Sequence, residues 1–255
     1  METETSKNVF CLHFEVKPHE IDFHGLLSPY YFLVHIQEAA IQHGIALRMG
    51  FQDLREIGLF WVLTRMKSVI TRYLETLERG VVATWVKRVG GLQVLRDFLV
   101  TDSGGQEIAK ATSSWMLLDL QTHRPKSFKD VLRPMPAVSQ EALSYSREPL
   151  PRLIRPSVEM PHAVTYSDVD VNYHVNNLKY LAWLFDLFPL GVYEKQQIVE
   201  IDVQFLKEAR YGEMLSMALE EARQNYGSFL ASIERGQHAA KEQLLRARIQ
   251  LKPRH

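Results

Sequence analysis

The chain has 255 residues, with Lys plus Arg 30 against Asp plus Glu 30, so its formal net charge is zero at pH 7. Hydrophobic residues make up 46% and charged residues 24%, the mix of a globular protein with material for a sizeable core. Balanced charge excludes the positive field that non-specific nucleic-acid binding needs, and the apolar content excludes a disordered chain.

The first segment, Met1 to Phe10, carries Glu2 and Glu4 and no apolar run, so it does not read as a secretory signal, and no Ser- and Arg-rich transit pattern is seen. Cys11 is the single cysteine, which rules out an intramolecular disulfide or a cysteine zinc cluster and fits a reducing compartment. The most apolar stretch, Tyr180 to Tyr193, is broken by Asp186 and Pro189 and is too short to span a bilayer. The expectation is a soluble cytoplasmic protein without membrane insertion.

Ser28 followed by Pro29 predicts a helix start, a capping hydroxyl and then a residue whose missing N–H costs nothing in the first turn. The helix is expected over Ser28 to Met49. Strands are predicted at Phe60 to Ile70, Val81 to Val89, Gln93 to Thr101 and Ala109 to Leu120. Gly90-Gly91 and Asp102-Ser103-Gly104-Gly105 punctuate them as hairpin turns. Pro134 to Pro156 holds five prolines and few apolar runs, which reads as a linker.

The second half repeats the first. The segment from Asp22 (DFHGLLSPYYFL) sets beneath the segment from Asp170 (DVNYHVNNLKYL), with His24 under Asn172, Leu26 under His174 and Ser28-Pro29 under Asn176-Asn177. A second helix follows over Asn176 to Phe188, capped by Asn176 or Asn177. Strands come next at Ile198 to Leu206, Met214 to Ala222, Ser228 to Arg235 and Leu244 to Leu251. Gly80 and Gly212 lie at similar places in the two halves, and aligning them sets Thr76 opposite Glu208. Each half thus reads as a strand, a long helix apolar on most faces, and an antiparallel sheet that wraps it. The fold class is α+β and duplicated: an N-terminal repeat over 1–135, a linker over 136–157 and a C-terminal repeat over 158–255. The alternative is one α+β domain with a chance likeness between halves.

The densest polar cluster is Asp170-Val171-Asn172-Tyr173-His174-Val175-Asn176-Asn177. In an extended chain, alternate residues point to one side, which would gather Asp170, Asn172 and His174 just ahead of a helix N-terminus. Free N–H groups there suit an oxyanion forming at a thioester or ester carbonyl. The plainer reading of the same residues is turn and capping chemistry, with His174 bonded to a backbone carbonyl. Histidines 19, 24, 35 and 43 lack a second group of ligands, so no metal site is expected.

The run Asp168-x-Asp170-x-Asn172-x-His174-Val175-Asn176-Asn177-x-Lys179-Tyr180-x-x-Trp183, continuing to Asp186 and Pro189, resembles the signature of the fatty acyl-ACP thioesterases of plants and bacteria. The first half is similar to that family's N-terminal domain through Trp61-Val62-x-Thr64-Arg65-Met66, Arg72-Tyr73, Thr84-Trp85, Arg96-Asp97-x-Leu99-Val100 and Ala111-x-Ser113-Ser114-Trp115. The likeness runs from about Phe10 to Leu251.

The resemblance implies a tandem double hotdog, each repeat a long helix wrapped by an antiparallel β-sheet. It also implies hydrolysis of fatty acyl-ACP to free fatty acid, which ends chain elongation, with no cofactor and no metal. Asp170, Asn172 and His174 match the family's Asp-x-Asn-x-His positions, and Glu208 matches its later glutamate. Ala209 stands where the family carries cysteine, so a covalent cysteine mechanism is impossible at that place. The implied mechanism is direct hydrolysis. Glu208 takes a proton from the attacking water, His174 and Asn172 hold that water or the carbonyl, and Asp170 orients both of them. N–H groups at Asn176 and Asn177 meet the oxyanion. The first half would bind the acyl chain, with Leu33, Ile36, Ala40, Phe60 and Trp61 as candidates, each equally a plain core residue.

The implied partner is an acidic acyl carrier protein bearing a fatty acyl thioester. Arg152, Arg155, Arg246, Arg248, Lys252 and Arg254 are available to meet it, in a protein that is a monomer or homodimer. An acyl-CoA thioesterase and a non-catalytic acyl-binding protein stay open as alternatives.

Overall fold

The computed structural model describes residues 8–128, 135–222, 226–236 and 241–254. Glu2, Glu4 and Pro134 lie outside the described residues. The chain forms two compact units, Met1–Ser146 and Arg147–His255.

The first unit contains β1 (Val9–Glu15), α1 (Pro29–Ala46), α2 (Phe51–Arg55), β2 (Leu59–Ile70), β3 (Arg79–Gly90), β4 (Gln93–Asp102), β5 (Glu107–Asp119) and β6 (Pro125–Lys126). The strands are antiparallel in the order β1-β3-β4-β5-β2, with β6 on β5. Gly91, at φ 57°, supplies the left-handed residue that the tight β3–β4 turn requires.

Ser28 caps α1 by accepting the Tyr31 N–H at 3.4 Å, with Pro29 in the first turn. The helix is one-sided. Phe32, Leu33, Ile36, Ala39, Ala40, His43 and Gly44 are buried, while Ile41 and Ile45 face solvent. Complete burial of side chains such as Leu33 and Ile36 contributes about 1.5–3 kcal/mol each.

The part of the Pro-rich segment over 138–146 lies against the first unit's sheet, and the part from Leu150 to Arg155 is bonded to Gln204, Glu220 and Arg246 of the second unit. In the first unit its backbone is bonded by side chains of β2, β3 and β4. Trp85 Nε1 donates to the Gln140 carbonyl at 2.9 Å, Lys87 Nζ to Leu143 at 2.7 Å and Arg65 to Ser146 at 3.0 Å. The Ala142 N–H donates to Asp97 Oδ2 at 2.7 Å. An irregular segment packed on a sheet needs such partners, because its own peptide groups have none.

The second unit contains β7 (Val158–Ala163), a 3-10 turn at Tyr166–Asp168, α3 (Asn177–Phe185), α4 (Leu190–Lys195), β8 (Gln196–Phe205), β9 (Met214–Glu221), β10 (Ser228–Arg235) and β11 (Glu242–Pro253). Its order, β7-β9-β10-β11-β8, reproduces that of the first unit. The helix stops at Phe185, short of the expected Phe188. Leu187 and Phe188 donate to Leu184 and Phe185 in tightened turns, and Pro189 has no N–H with which to continue.

Matching hydrogen bonds establish the duplication. Asp22 N–H to Leu26 O (2.7 Å) repeats as Asp170 to His174 (2.9 Å). Leu27 N–H to Leu74 O (2.7 Å) repeats as Val175 to Ala209 (2.9 Å). Val16 N–H to Glu78 O repeats as Val164 to Glu213, both at 2.9 Å.

This register corrects one expectation: Tyr73, not Thr76, occupies the position of Glu208. Aligning Gly80 with Gly212 misled because the two glycines answer different needs. A Cβ at Gly80 would lie 2.7 Å from the Phe14 ring, whereas Gly212 supplies φ 81° in a turn. The first unit's counterpart of Gly212 is Leu77, at φ 65°, whose N–H meets Val16 O as that of Gly212 meets Val164 O.

Candidate active site

Residues Asp170 to His174 form a closed turn, not the extended run expected. The Asp170 N–H donates to the His174 carbonyl at 2.9 Å, the Tyr173 N–H to Asp170 O at 3.0 Å, and Tyr173 sits at φ 63°. Asp170 Oδ1 accepts the Asn172 N–H at 2.8 Å. An Asx turn of this kind needs an Asp or Asn for local reasons. The first unit repeats it, with Asp22 Oδ1 accepting the His24 N–H at 2.9 Å, in a loop that has Leu26 at the position of His174. Asp170 thus shapes the loop through the backbone of Asn172 and His174. The Asn172 carboxamide is half-buried and makes no hydrogen bond among the described residues.

Glu208 is not on a strand. It follows β8 by three residues, in a connection held at several points. The Ala209 carbonyl accepts the Val175 N–H at 2.9 Å, and the Ala209 N–H donates to the Tyr180 hydroxyl at 2.8 Å. These bonds bring the connection beside the motif loop, and Glu208 Oε2 lies 3.2 Å from His174 Nε2. The His174 side chain is 11% exposed and that of Glu208 37%, so the carboxylate is open to water while the imidazole is mostly enclosed. Burial, reinforced by the Glu208 and Glu213 carboxylates, pushes the Tyr180 phenol well above its usual range, so the hydroxyl stays neutral beside them.

Asn176 is the helix cap. Its Oδ1 accepts the Leu178 N–H at 2.9 Å, and its own N–H donates to Asp168 O at 2.9 Å. The Val175, Asn176 and Leu178 N–H groups are therefore engaged, which narrows the expected oxyanion donors. The Asn177 N–H has no partner among the described residues. A free N–H in the first turn of a helix is a donor backed by the helix dipole.

Four of the equivalent positions in the first unit differ in chemistry. Leu26 stands for His174, Tyr73 for Glu208, Phe32 for Tyr180, and Pro29, with no N–H, for Asn177. The same backbone keeps an Asx-turn aspartate in both units, Asp22 and Asp170, but carries the imidazole and the carboxylate only in the second.

Leu33, Ile36 and Ala40 share one buried stripe of α1. Trp61 packs on the cluster of Met49, Leu54, Leu59, Val86, Val94, Leu117 and Phe128, and its Nε1 donates to the Met49 carbonyl at 2.9 Å. Phe60 is buried and is not a member of that cluster. Neighbours on a strand face opposite ways, and Phe60 meets His123 edge-on at 5.6 Å.

Among the expected basic residues, Arg246 donates to Leu150 O and Gln243, and Arg254 donates to the Tyr193 and Gln196 carbonyls. Arg248 pairs with Asp202 at 3.6 Å. Arg152, Arg155 and Lys252 are exposed. Among the described residues, no three His, Cys, Asp or Glu side chains gather as metal ligands, and no helix is long and apolar enough to cross a membrane.

Residues 7–134 match the acyl-ACP thioesterase N-terminal domain model, and residues 153–251 match the C-terminal domain model. The chain belongs to the acyl-ACP thioesterase family. Its relatives include a palmitoyl-acyl carrier protein thioesterase of Arabidopsis thaliana, 29% identical over 78% of this chain and 52% of the relative. Another, of the same description, from Gossypium hirsutum is 31% identical over 78% of this chain and 52% of its own length. The chain thus spans about half the length of these curated relatives.

Among solved structures, an acyl-ACP thioesterase from Bacteroides thetaiotaomicron matches with TM-score 0.82 and 25% identity, covering 98% of this chain and 100% of that one. The 12:0-ACP thioesterase of Umbellularia californica matches with TM-score 0.86 and 23% identity, covering 96% and 98%. The fold of this family member is the tandem double hotdog, α+β in class.

Sequence reading did not single out the Tyr180 hydroxyl or Arg235, and it named the Asn177 N–H without separating it from that of Asn176. The one available signal was the pairing of Pro29 with Asn177, which removes a donor from one repeat and keeps it in the other.

Proposed function

We propose that the chain hydrolyses fatty acyl thioesters borne by an acyl carrier protein, releasing free fatty acid and ending chain elongation, with the chemistry in the second unit. The observation that carries this reading is the 3.2 Å contact between His174 Nε2 and Glu208 Oε2, beside a helix N-terminus with one free N–H. The first unit has neither the imidazole nor the carboxylate at these positions, carrying Leu26 for His174 and Tyr73 for Glu208, which supports the same division of labour.

In this mechanism Glu208 accepts a proton from water, and the water oxygen attacks the thioester carbonyl carbon. His174, donating from Nε2, holds the carboxylate, and the free carboxamide of Asn172 holds the water or the carbonyl. The carbonyl π electrons move onto oxygen, where the Asn177 N–H stabilises the oxyanion. Collapse breaks the C–S bond, and the leaving thiolate takes the proton from Glu208. Asp170 is a positioning residue that keeps the loop closed. Ala209, fully buried, provides no nucleophile.

The first unit holds the acyl chain along Leu33, Ile36, Ala40 and Trp61. Bulkier residues there are expected to shift the preferred chain length. Cys11 as the single thiol supports a cytoplasmic setting.

The test is Glu208→Gln, which nearly preserves shape. Turnover of acyl-ACP should fall by about 10²- to 10⁴-fold, the usual contribution of a general base. Turnover within about tenfold of the unmodified protein refutes the assignment. Matched acyl-ACP and acyl-CoA substrates over several chain lengths test the carrier, and equal or greater activity on acyl-CoA overturns it.

A further inference from the structure

We infer that Arg235 is a positioning residue for hydrolysis, fixing the peptide that presents the Glu208 carboxylate; the inference rests on Glu208 being the base. Arg235 is the last residue of β10 and pairs with Leu215 of β9 and Glu242 of β11, so its backbone is part of the sheet. Its NH1 donates to the Glu208 carbonyl at 3.1 Å and to both Glu213 carboxylate oxygens at 3.2 Å. Its Nε donates to Glu242 Oε2 at 2.7 Å, and NH2 pairs with the same carboxylate. Lys207, next to the base, pairs with Glu242 at 3.3 Å.

Glu208 therefore stands on a loop whose peptide groups are gripped in sequence. Arg235 holds the Glu208 carbonyl, Tyr180 Oη the Ala209 N–H, and the Val175 N–H the Ala209 carbonyl. A charged donor on a carbonyl makes a stronger bond than a neutral one, and a guanidinium can serve three acceptors in a fixed fork. Two flanking carboxylates keep that fork oriented.

The first unit provides an internal control. Its strand-end counterpart of Arg235 is Asp102, which pairs with Gly80 as Arg235 pairs with Leu215. The arginine there is Arg72, in the loop itself, bound to Asp102 at 2.7 Å and to Glu78 at 3.1 Å. The strand-end charge is reversed, Asp102 for Arg235, while the loop keeps a cation and a carboxylate at matching positions, Arg72 for Lys207 and Glu78 for Glu213. A sheet-borne arginine reaches the loop backbone in the unit that holds the base, while the other unit has Tyr73 at the base's position.

The experiment measures kcat and KM on acyl-ACP, with thermal unfolding, for Arg235→Gln, Arg235→Lys, Glu208→Gln and the double variant Glu208→Gln/Arg235→Gln. A misplacement of about 1 Å costs up to about 10²-fold, so Arg235→Gln should lower kcat by about 10- to 100-fold with little change in KM. Arg235→Lys, which keeps the charge and one donor to the carbonyl, should recover part of that loss. In the Glu208→Gln background, removing Arg235 should cost about nothing further, because its effect passes through the base.

An equal loss with and without Glu208, or an unchanged kcat in Arg235→Gln, overturns the inference while leaving Glu208 as base. A fully active Glu208→Gln overturns the underlying reading instead. Should Arg235→Gln fail to fold, Arg235→Lys is compared alone and in the Glu208→Gln background, with the same outcomes deciding.

Discussion

Replacing Asn177 by proline removes one hydrogen-bond donor from the site and disturbs little else. Proline suits the first helical position, where its fixed φ is already helical. The preceding Asn176 sits at φ −61° and ψ 135°, a conformation that a following proline permits. The first unit already carries this arrangement, with Ser28 at φ −66° and ψ 152° ahead of Pro29. The Asn177 N–H has no partner among the described residues, so no native bond is broken. Stability should stay within about 1 kcal/mol, and a small gain is expected from restricting the unfolded chain.

Loss of a single oxyanion donor typically costs about 10²–10³ in kcat, or roughly 2.7–4 kcal/mol of transition-state stabilisation. The assay is steady-state hydrolysis of acyl-ACP by Asn177→Pro beside Asn177→Ala, which deletes the side chain and keeps the N–H. The expected result is a large fall in kcat for the proline variant alone, with both proteins folded. A folded Asn177→Pro whose kcat lies within about threefold of Asn177→Ala refutes the donor assignment.

His43 gives a pH test of the first unit. Burial, then the Arg96 guanidinium 2.7 Å from Nδ1, pushes its pKa from 6.5 down to about 4. The folded unit excludes a proton that the unfolded chain accepts, so this contribution is complete above about pH 6.5 and drains as pH falls toward about 4. It is worth on the order of 3 kcal/mol at the acid end. Urea unfolding at pH 7 and 4.5 should show a shallower acid loss in His43→Gln, and an identical loss refutes the assignment. Gly227→Ala should cost about 1–3 kcal/mol, since Gly227 has φ 73° and a Cβ there would lie 2.7 Å from the Leu251 carbonyl oxygen. An unchanged unfolding midpoint counts against that strain.

Local chemistry was legible in the sequence. Alternating β-branched residues marked eight strands at nearly their observed bounds, while Ser28-Pro29 and Asn176 marked the helix starts, because each signal acts over a few residues. The motif likeness named His174 and Glu208 and implied that they meet around one water, but not the bonds that bring them together. That contact depends on a loop beyond β8 being bonded back to Val175 and Tyr180, residues remote in sequence from it.

Only the tertiary structure decided the rest. It closed Asp170 to His174 into a turn, moved Tyr73 into the register of Glu208 and left one N–H at the start of α3 free. Strand register and left-handed residues at Tyr173, Leu77 and Gly212 fix these outcomes, and a single position of shift reverses which side chains meet.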